Sequence, residues 1–135
     1  MPERLETNIS NIAEVFSVGQ KQLLCLARAL LRNNKFLILD EATSNVDMET
    51  DYFIQKCIHT KFQNTTVITI AHRLNTIADY DKVIVMSRGR IVEIGEPHQL
   101  IQNNGAFAEM VSHTGKNADL IKKIAKSSFE ARNRS

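Results

Sequence analysis

An α/β fold built on a mostly parallel sheet is what these 135 residues predict. Three observations carry the prediction. Phe36-Leu37-Ile38-Leu39 is a continuous apolar run that stops abruptly at Asp40-Glu41. Thr66-Val67-Ile68-Thr69-Ile70 is a second run, rich in β-branched residues. Each run follows a segment whose apolar residues recur at helical spacing. Unbroken apolar strands suit a sheet covered on both faces, and regular alternation with helices implies parallel pairing.

The elements follow in order. Met1 to Val15 is polar, with weak helical character and no clear start signal. Ser17 stands where an N-cap is expected, and Leu23, Leu26, Ala27, Leu30 and Leu31 repeat behind it until Arg32-Asn33-Asn34 closes the helix. Beyond the first strand and a polar turn, Tyr52 to Phe62 places Phe53, Ile54, Cys57 and Ile58 on one helical face. The second strand leads to a short helix from Leu74 to Ala78. Lys82 to Met86 and Arg90 to Ile94 form two further strands, joined by the hairpin turn Ser87-Arg88-Gly89. Short helices follow around Gln99 to Ile101 and from Ala106 to Val111. The domain is expected to occupy residues 1–113. Residues 114–135 carry Lys116, Lys122, Lys123, Lys126, Arg132 and Arg134 against Asp119 and Glu130, and read as a solvated, partly helical basic tail.

Composition narrows the function. With 43% hydrophobic and 24% charged residues the balance is that of a globular domain. A net charge of +2 gives no reason to invoke nucleic acid as partner. Cys25 and Cys57 lie within apolar helical patterns, which predicts buried thiols without a disulfide partner. No stretch reaches the roughly 20 apolar residues of a membrane-spanning helix, so any work at a membrane requires other polypeptide to bring this segment there.

Several residues can carry chemistry. Asp40 and Glu41 end a buried strand, the edge at which open α/β sheets collect ligands, although an acidic pair there also serves simply to enter a turn. Ser17-Val18-Gly19-Gln20 opens a helix, where free backbone N–H groups favour a phosphate; an ordinary capped helix has the same look. His72 follows the second strand and shares the rim of Asp40 and Glu41 if the strands are parallel; alone it reads equally as a structural histidine. Ser44 and Asp47 occupy a turn that a plain helix cap also explains.

Their order and spacing go further. Phe16-Ser17-Val18-Gly19-Gln20-Lys21-Gln22, Ala27-Arg28-Ala29-Leu30, Phe36-Leu37-Ile38-Leu39-Asp40-Glu41-Ala42-Thr43-Ser44, Asp47 and Ile70-Ala71-His72-Arg73 resemble, in that sequence, the motifs of the ABC ATPase family. The first resembles its signature motif, the strand with Asp40 and Glu41 its Walker B motif, Ser44 to Asp47 its D-loop, and His72 its switch histidine. Val18, where most members have a second glycine, together with Leu23 to Arg32 and Gly95-Glu96-Pro97, is similar to the second nucleotide-binding domain of the C (multidrug-resistance-associated) subfamily.

The resemblance implies an incomplete P-loop NTPase fold whose P-loop strand is absent. No G-x-x-x-x-G-K-[ST] occurs: the only Gly-Lys pair, Gly115-Lys116, is followed by Asn117 and has Met110 where the earlier glycine belongs. The P-loop is expected upstream of Met1. The resemblance also implies ATP and Mg²⁺ as cofactors. Asp40 would help hold the metal, Glu41 would orient or deprotonate the attacking water, and His72 would contact the γ-phosphate. Ser17, Gly19 and Gln20, with Ser44 and Asp47 of the D-loop, would bind nucleotide across an interface with a second nucleotide-binding domain packed head to tail. Val18 adds bulk at that crowded place and is expected to weaken hydrolysis there. The implied function is ATP-driven export coupled to transmembrane domains, with organic anions and conjugates as cargo, the domain lying on the cytoplasmic face; the fragment by itself would be cytoplasmic. The alternatives are a truncated, non-catalytic module that donates its signature motif to a partner's ATP, and a nonfunctional fragment. A non-transport member of the family fits the subfamily features less well. By itself the chain is expected to show no ATP hydrolysis.

Overall fold

The computed structural model describes residues 16–40 and 46–134. The predicted start at Ser17 is made by a reciprocal cap: the Ser17 hydroxyl oxygen accepts from the Gln20 N–H at 3.2 Å, and the Gln20 side-chain oxygen accepts from the Ser17 N–H at 3.0 Å. Two otherwise orphaned donors are satisfied, and helix α1 runs Val18–Leu31. Asn33, at a φ of 48°, ends it, as a short polar side chain can in the left-handed region. Strand β1 (Phe36–Asp40) follows, then α2 (Met48–Lys61) and β2 (Thr66–Ile70).

The strands β1 and β2 are parallel, with Phe36 opposite Thr66, Ile38 opposite Ile68 and Asp40 opposite Ile70. Leu26 of α1, Leu39 of β1, Ile54 and Ile58 of α2 and its C-cap Phe62 form the core of this unit with Val46. Of the expected helical stripe, Ile54 and Ile58 are buried and Cys57 is half-buried, but Phe53, assigned to it, is 54% exposed. Among the described residues only one face of these strands is covered. Leu37, Leu39, Val67 and Thr69 face the helices, whereas Phe36, Ile38, Ile68 and Ile70 are exposed on the other side, Ile38 by 67%. The apolar run was read correctly as a strand; its second face lacks a cover among the described residues. Cys25 corrects the expectation of buried thiols. It is exposed and Cys57 is half-buried, because α1 turns Leu26 inward with Leu23 and Ala29 and leaves Cys25 on its outer side.

The chain divides into two compact units, Met1–Ile70 and Ala71–Ser135. In the second, the expected helix after His72 is shorter and tighter, a 3₁₀ turn over Leu74–Thr76. Strands β3 (Val83–Ser87) and β4 (Arg90–Gly95) form an antiparallel hairpin, a sheet separate from that of β1 and β2. Arg88 and Gly89 both have positive φ, 48° and 74°, the backbone of a tight two-residue hairpin turn. Helices α3 (Pro97–Gln102) and α4 (Ala106–His113) pack on the hairpin around Val83, Val85, Leu100, Phe107 and Val111. Glu93 of β4 caps α4 by accepting from the Phe107 N–H at 2.7 Å.

Residues 118–132, read in the sequence as part of a solvated basic tail, form a fifth helix, α5 (Ala118–Arg132), inserted into this core. Ile121 and Ala125 are 1% exposed, with Ala118 and Ile124 beside them. Lys122, Lys123 and Lys126 occupy the outer face, so the basic composition describes one side of a docked helix. Arg132 fastens its far end, 2.9 Å from the Asp81 carboxylate and 3.4 Å from that of Glu96. The His98 and Phe129 rings meet at 5.0 Å.

Candidate functional site

Parallel pairing fixes where the strand ends lie. Asp40 is the last residue of β1, exposed, and level with Ile70 at the end of β2. The chain then continues through Ala71 to His72, an exposed residue of the second unit. Glu41 and Ser44 lie outside the described residues. Among the described residues no group of three or more His, Cys, Asp or Glu side chains could hold a metal ion. Asp40 offers one carboxylate at the end of the strand. One carboxylate is compatible with a Mg²⁺ that keeps several waters and takes one or two carboxylates beside phosphate oxygens.

The start of α1 is the second part. Ser17 and Gln20 are exposed, and their side chains are turned on one another in the reciprocal cap. The Ser17 oxygen is an acceptor in that cap, which leaves its hydroxyl hydrogen to donate outward. Val18 is 47% exposed beside it. Gly19 is buried, and its need for glycine is internal: a Cβ there would sit 2.5 Å from Thr50 Cγ2 and 3.4 Å from Val46 Cγ1.

Asp47 is the third part. It is the N-cap of α2, accepting from the Thr50 N–H at 2.9 Å and from the Thr50 hydroxyl at 2.7 Å. The backbone hydrogen bond from Thr50, then that of the Thr50 hydroxyl, holds its carboxyl below the ordinary carboxylate range. A depressed folded value means that this cap contributes stability above the unfolded pKa and loses it as pH falls through the folded one. Thus the structure brings Gly19 and the Asp47 cap together and sets Asp40 at the strand end. Thr50 escaped the sequence reading, although a Thr three residues after an Asp at a helix start is a legible capping pattern. A separate polar cleft, lined by Asn33, Asn34, Gln63 and Asn64, lies where β1 and β2 begin, at the opposite end of the strands from Asp40.

Gly19→Ala is expected to lower stability. Thr50 Cγ2 cannot swing away without breaking the Thr50 hydroxyl bond to Asp47, so overpacking of about 1–3 kcal/mol outweighs the gain of about 1 kcal/mol that Ala brings to a helix. Denaturant unfolding of the complete domain measures it; an unchanged or raised midpoint would show the space to be slack.

Known proteins place the chain in a family. The profile of the ABC transporter family matches residues 1–44. The chain is 50% identical over 135 residues to ATP-binding cassette sub-family C member 4 of Homo sapiens, covering 98% of this chain and 10% of that protein. It is 48% identical over 134 residues to the probable multidrug resistance-associated protein lethal(2)03659 of Drosophila melanogaster, covering 97% of this chain and 10% of that one. Among solved structures, a bacterial Atm1-family ABC exporter with ATP bound superimposes with a TM-score of 0.68 at 38% identity, over 74% of this chain and 18% of its own. The fold and the motif order thus define the class: the chain is part of an ABC ATPase domain. More particularly, it belongs to the C subfamily of the ABC transporter family. It spans about a tenth of the length of the curated relatives it matches.

Proposed function

We propose that this segment completes two ATP sites in an ABC exporter, taking part in one through Asp40, Glu41 and His72 and in the other through its signature residues. The observation that carries the reading is the parallel register that puts Asp40 level with Ile70, two residues before His72. In a complete protein, Asp40 holds the Mg²⁺ that accompanies the phosphates. Glu41 takes up or orients the water's proton, and His72 donates to the terminal phosphate as negative charge grows there. Ser17, Gly19 and Gln20 do different work, donating hydroxyl, backbone and amide hydrogens to the γ-phosphate of ATP held by a second nucleotide-binding domain, with Ser44 and Asp47 at the same interface. Transmembrane domains in the same assembly turn closure into export, with organic anions and conjugates as the cargo class. Val18, larger than glycine and half-exposed at the signature, makes the site it completes the slower of the two.

A charge test separates phosphate recognition from capping. Aspartate caps a helix about as well as serine, but it sets a negative charge against the phosphate. Ser17→Asp in the complete protein is expected to keep the domain's thermal midpoint and to lower ATP turnover by roughly tenfold or more, the worth of about 1.4 kcal/mol or more of lost transition-state contact. Unchanged turnover would remove the signature from the mechanism. The module reading makes a different forecast: Ser17→Asp disables ATP turnover while Glu41→Gln leaves it untouched.

A further inference from the structure

We infer that Thr50 is the positioning residue that couples the Asp47 cap to the signature helix, so that the two nucleotide-facing turns move as one. Its two branches point to two partners. The hydroxyl donates to the Asp47 carboxylate at 2.7 Å while the Thr50 N–H donates to the other carboxylate oxygen at 2.9 Å. The methyl lies where the missing side chain of Gly19 would be, 2.5 Å from an ideal Cβ. Threonine χ1 is stiff, because both branches sit on Cβ. Fixing the hydroxyl on Asp47 therefore fixes the methyl against Gly19, and any rotation that frees one contact breaks the other. Val46, buried and 3.4 Å from the same Cβ position, closes the remaining side.

Displacement of the Asp47 turn is thus transmitted to Gly19 by hard contact between a methyl group and backbone, and Gly19 sits between Ser17 and Gln20. Tightly packed contacts of this kind pass on strain. The functional half of the inference rests on the reading that Ser17 and Gly19 face a partner's ATP. The mechanical half rests on the Thr50 contacts alone.

The two halves are tested separately in the complete protein. Thr50→Val keeps a methyl on Gly19 and loses the hydroxyl bond to Asp47, leaving the backbone one; Thr50→Ser keeps both bonds and loses the methyl. Hydrogen exchange reads the coupling directly. Thr50→Val should speed exchange in both first turns, that of α2 and that of α1, by roughly three- to tenfold. Thr50→Ser should speed exchange in the first turn of α1 alone. Thr60→Val, which removes a hydroxyl bonded only to the Lys56 carbonyl within α2, is the control and should leave α1 unchanged. A Thr50→Val effect confined to α2 overturns the inference whatever the enzyme does. Turnover then reads its use. Because Thr50 does not bind ATP, both Thr50 variants should lower kcat by roughly three- to tenfold while KM for ATP stays within about twofold. If Glu41→Gln stops turnover and the Thr50 variants run at the parent rate, coupling has no part in catalysis and the functional half fails. If exchange responds as stated but Glu41→Gln is silent, the catalytic reading fails and the mechanical coupling stands.

Discussion

Expressed alone, the 135-residue chain is expected to unfold without a sharp transition and to aggregate. Among the described residues its two units hold small cores: six buried hydrophobic residues cluster in the first and seven in the second. Against these stand two exposed apolar rows. On the first sheet Phe36, Ile38, Ile68 and Ile70 are 49–67% exposed. On the hairpin, Ile84 faces Ile94 and Met86 faces Ile91, all 53–63% exposed. Each sheet has only two strands among the described residues, a number too small for independent stability without helices packed on it. Rows of this kind bordered by unpaired strand edges are templates for association. In a protein of the relatives' length, other segments are expected to cover them. Calorimetry and light scattering of the isolated chain test the point. Scattering should grow with concentration, and replacing the paired Ile38 and Ile68 by threonine should reduce it without disturbing the inward-facing Leu39. A single cooperative transition at about 45–65 °C, as in mesophilic domains, with no dependence on concentration would defeat the expectation.

What the sequence disclosed, and what it hid, follows from the range of the interactions. The β1 and β2 runs and the Arg88-Gly89 turn are local signals, and all appear where the residues place them. The cap at Ser17 was legible for the same reason, since both partners lie within four residues. Burial on the second face of Ile38 and Ile68 was not, because it depends on distant chain. Helix α5 was concealed by arithmetic: six cations in twenty residues dominate a composition, while the buried pair Ile121 and Ala125 reveals itself only at four-residue spacing. Gly19 is instructive in another way. Glycine at a helix mouth suggested close approach of a ligand, and the structure gives it an internal reason in Thr50. The two reasons are compatible, since one side of the residue packs inward and its neighbours Ser17 and Gln20 are exposed.

Glu41→Gln in the complete protein is expected to reduce ATP turnover by two orders of magnitude or more, within the ~10²–10⁴ that a positioned general base supplies. The substitution is chosen for its small perturbation. Glutamine has the shape of glutamate and still accepts a hydrogen bond, but it neither takes up a proton nor places negative charge behind the attacking water. Asp40, one residue earlier, has a different proposed role: it ends the strand opposite Ile70, and it is the carboxylate we propose for Mg²⁺. The two acids therefore fail differently. Asp40→Asn should raise the Mg²⁺ concentration needed for half-maximal turnover, whereas Glu41→Gln should leave that requirement unchanged and lower only the maximal rate, with ATP still bound. Trapped, undissociated nucleotide on the Glu41→Gln protein would be the direct sign, because binding survives when the water is no longer activated. Full turnover in Glu41→Gln would move the base elsewhere on the rim. Combined with an effect of Ser17→Asp, it would favour the non-catalytic module, in which this chain contributes a phosphate contact to its partner and no chemistry of its own.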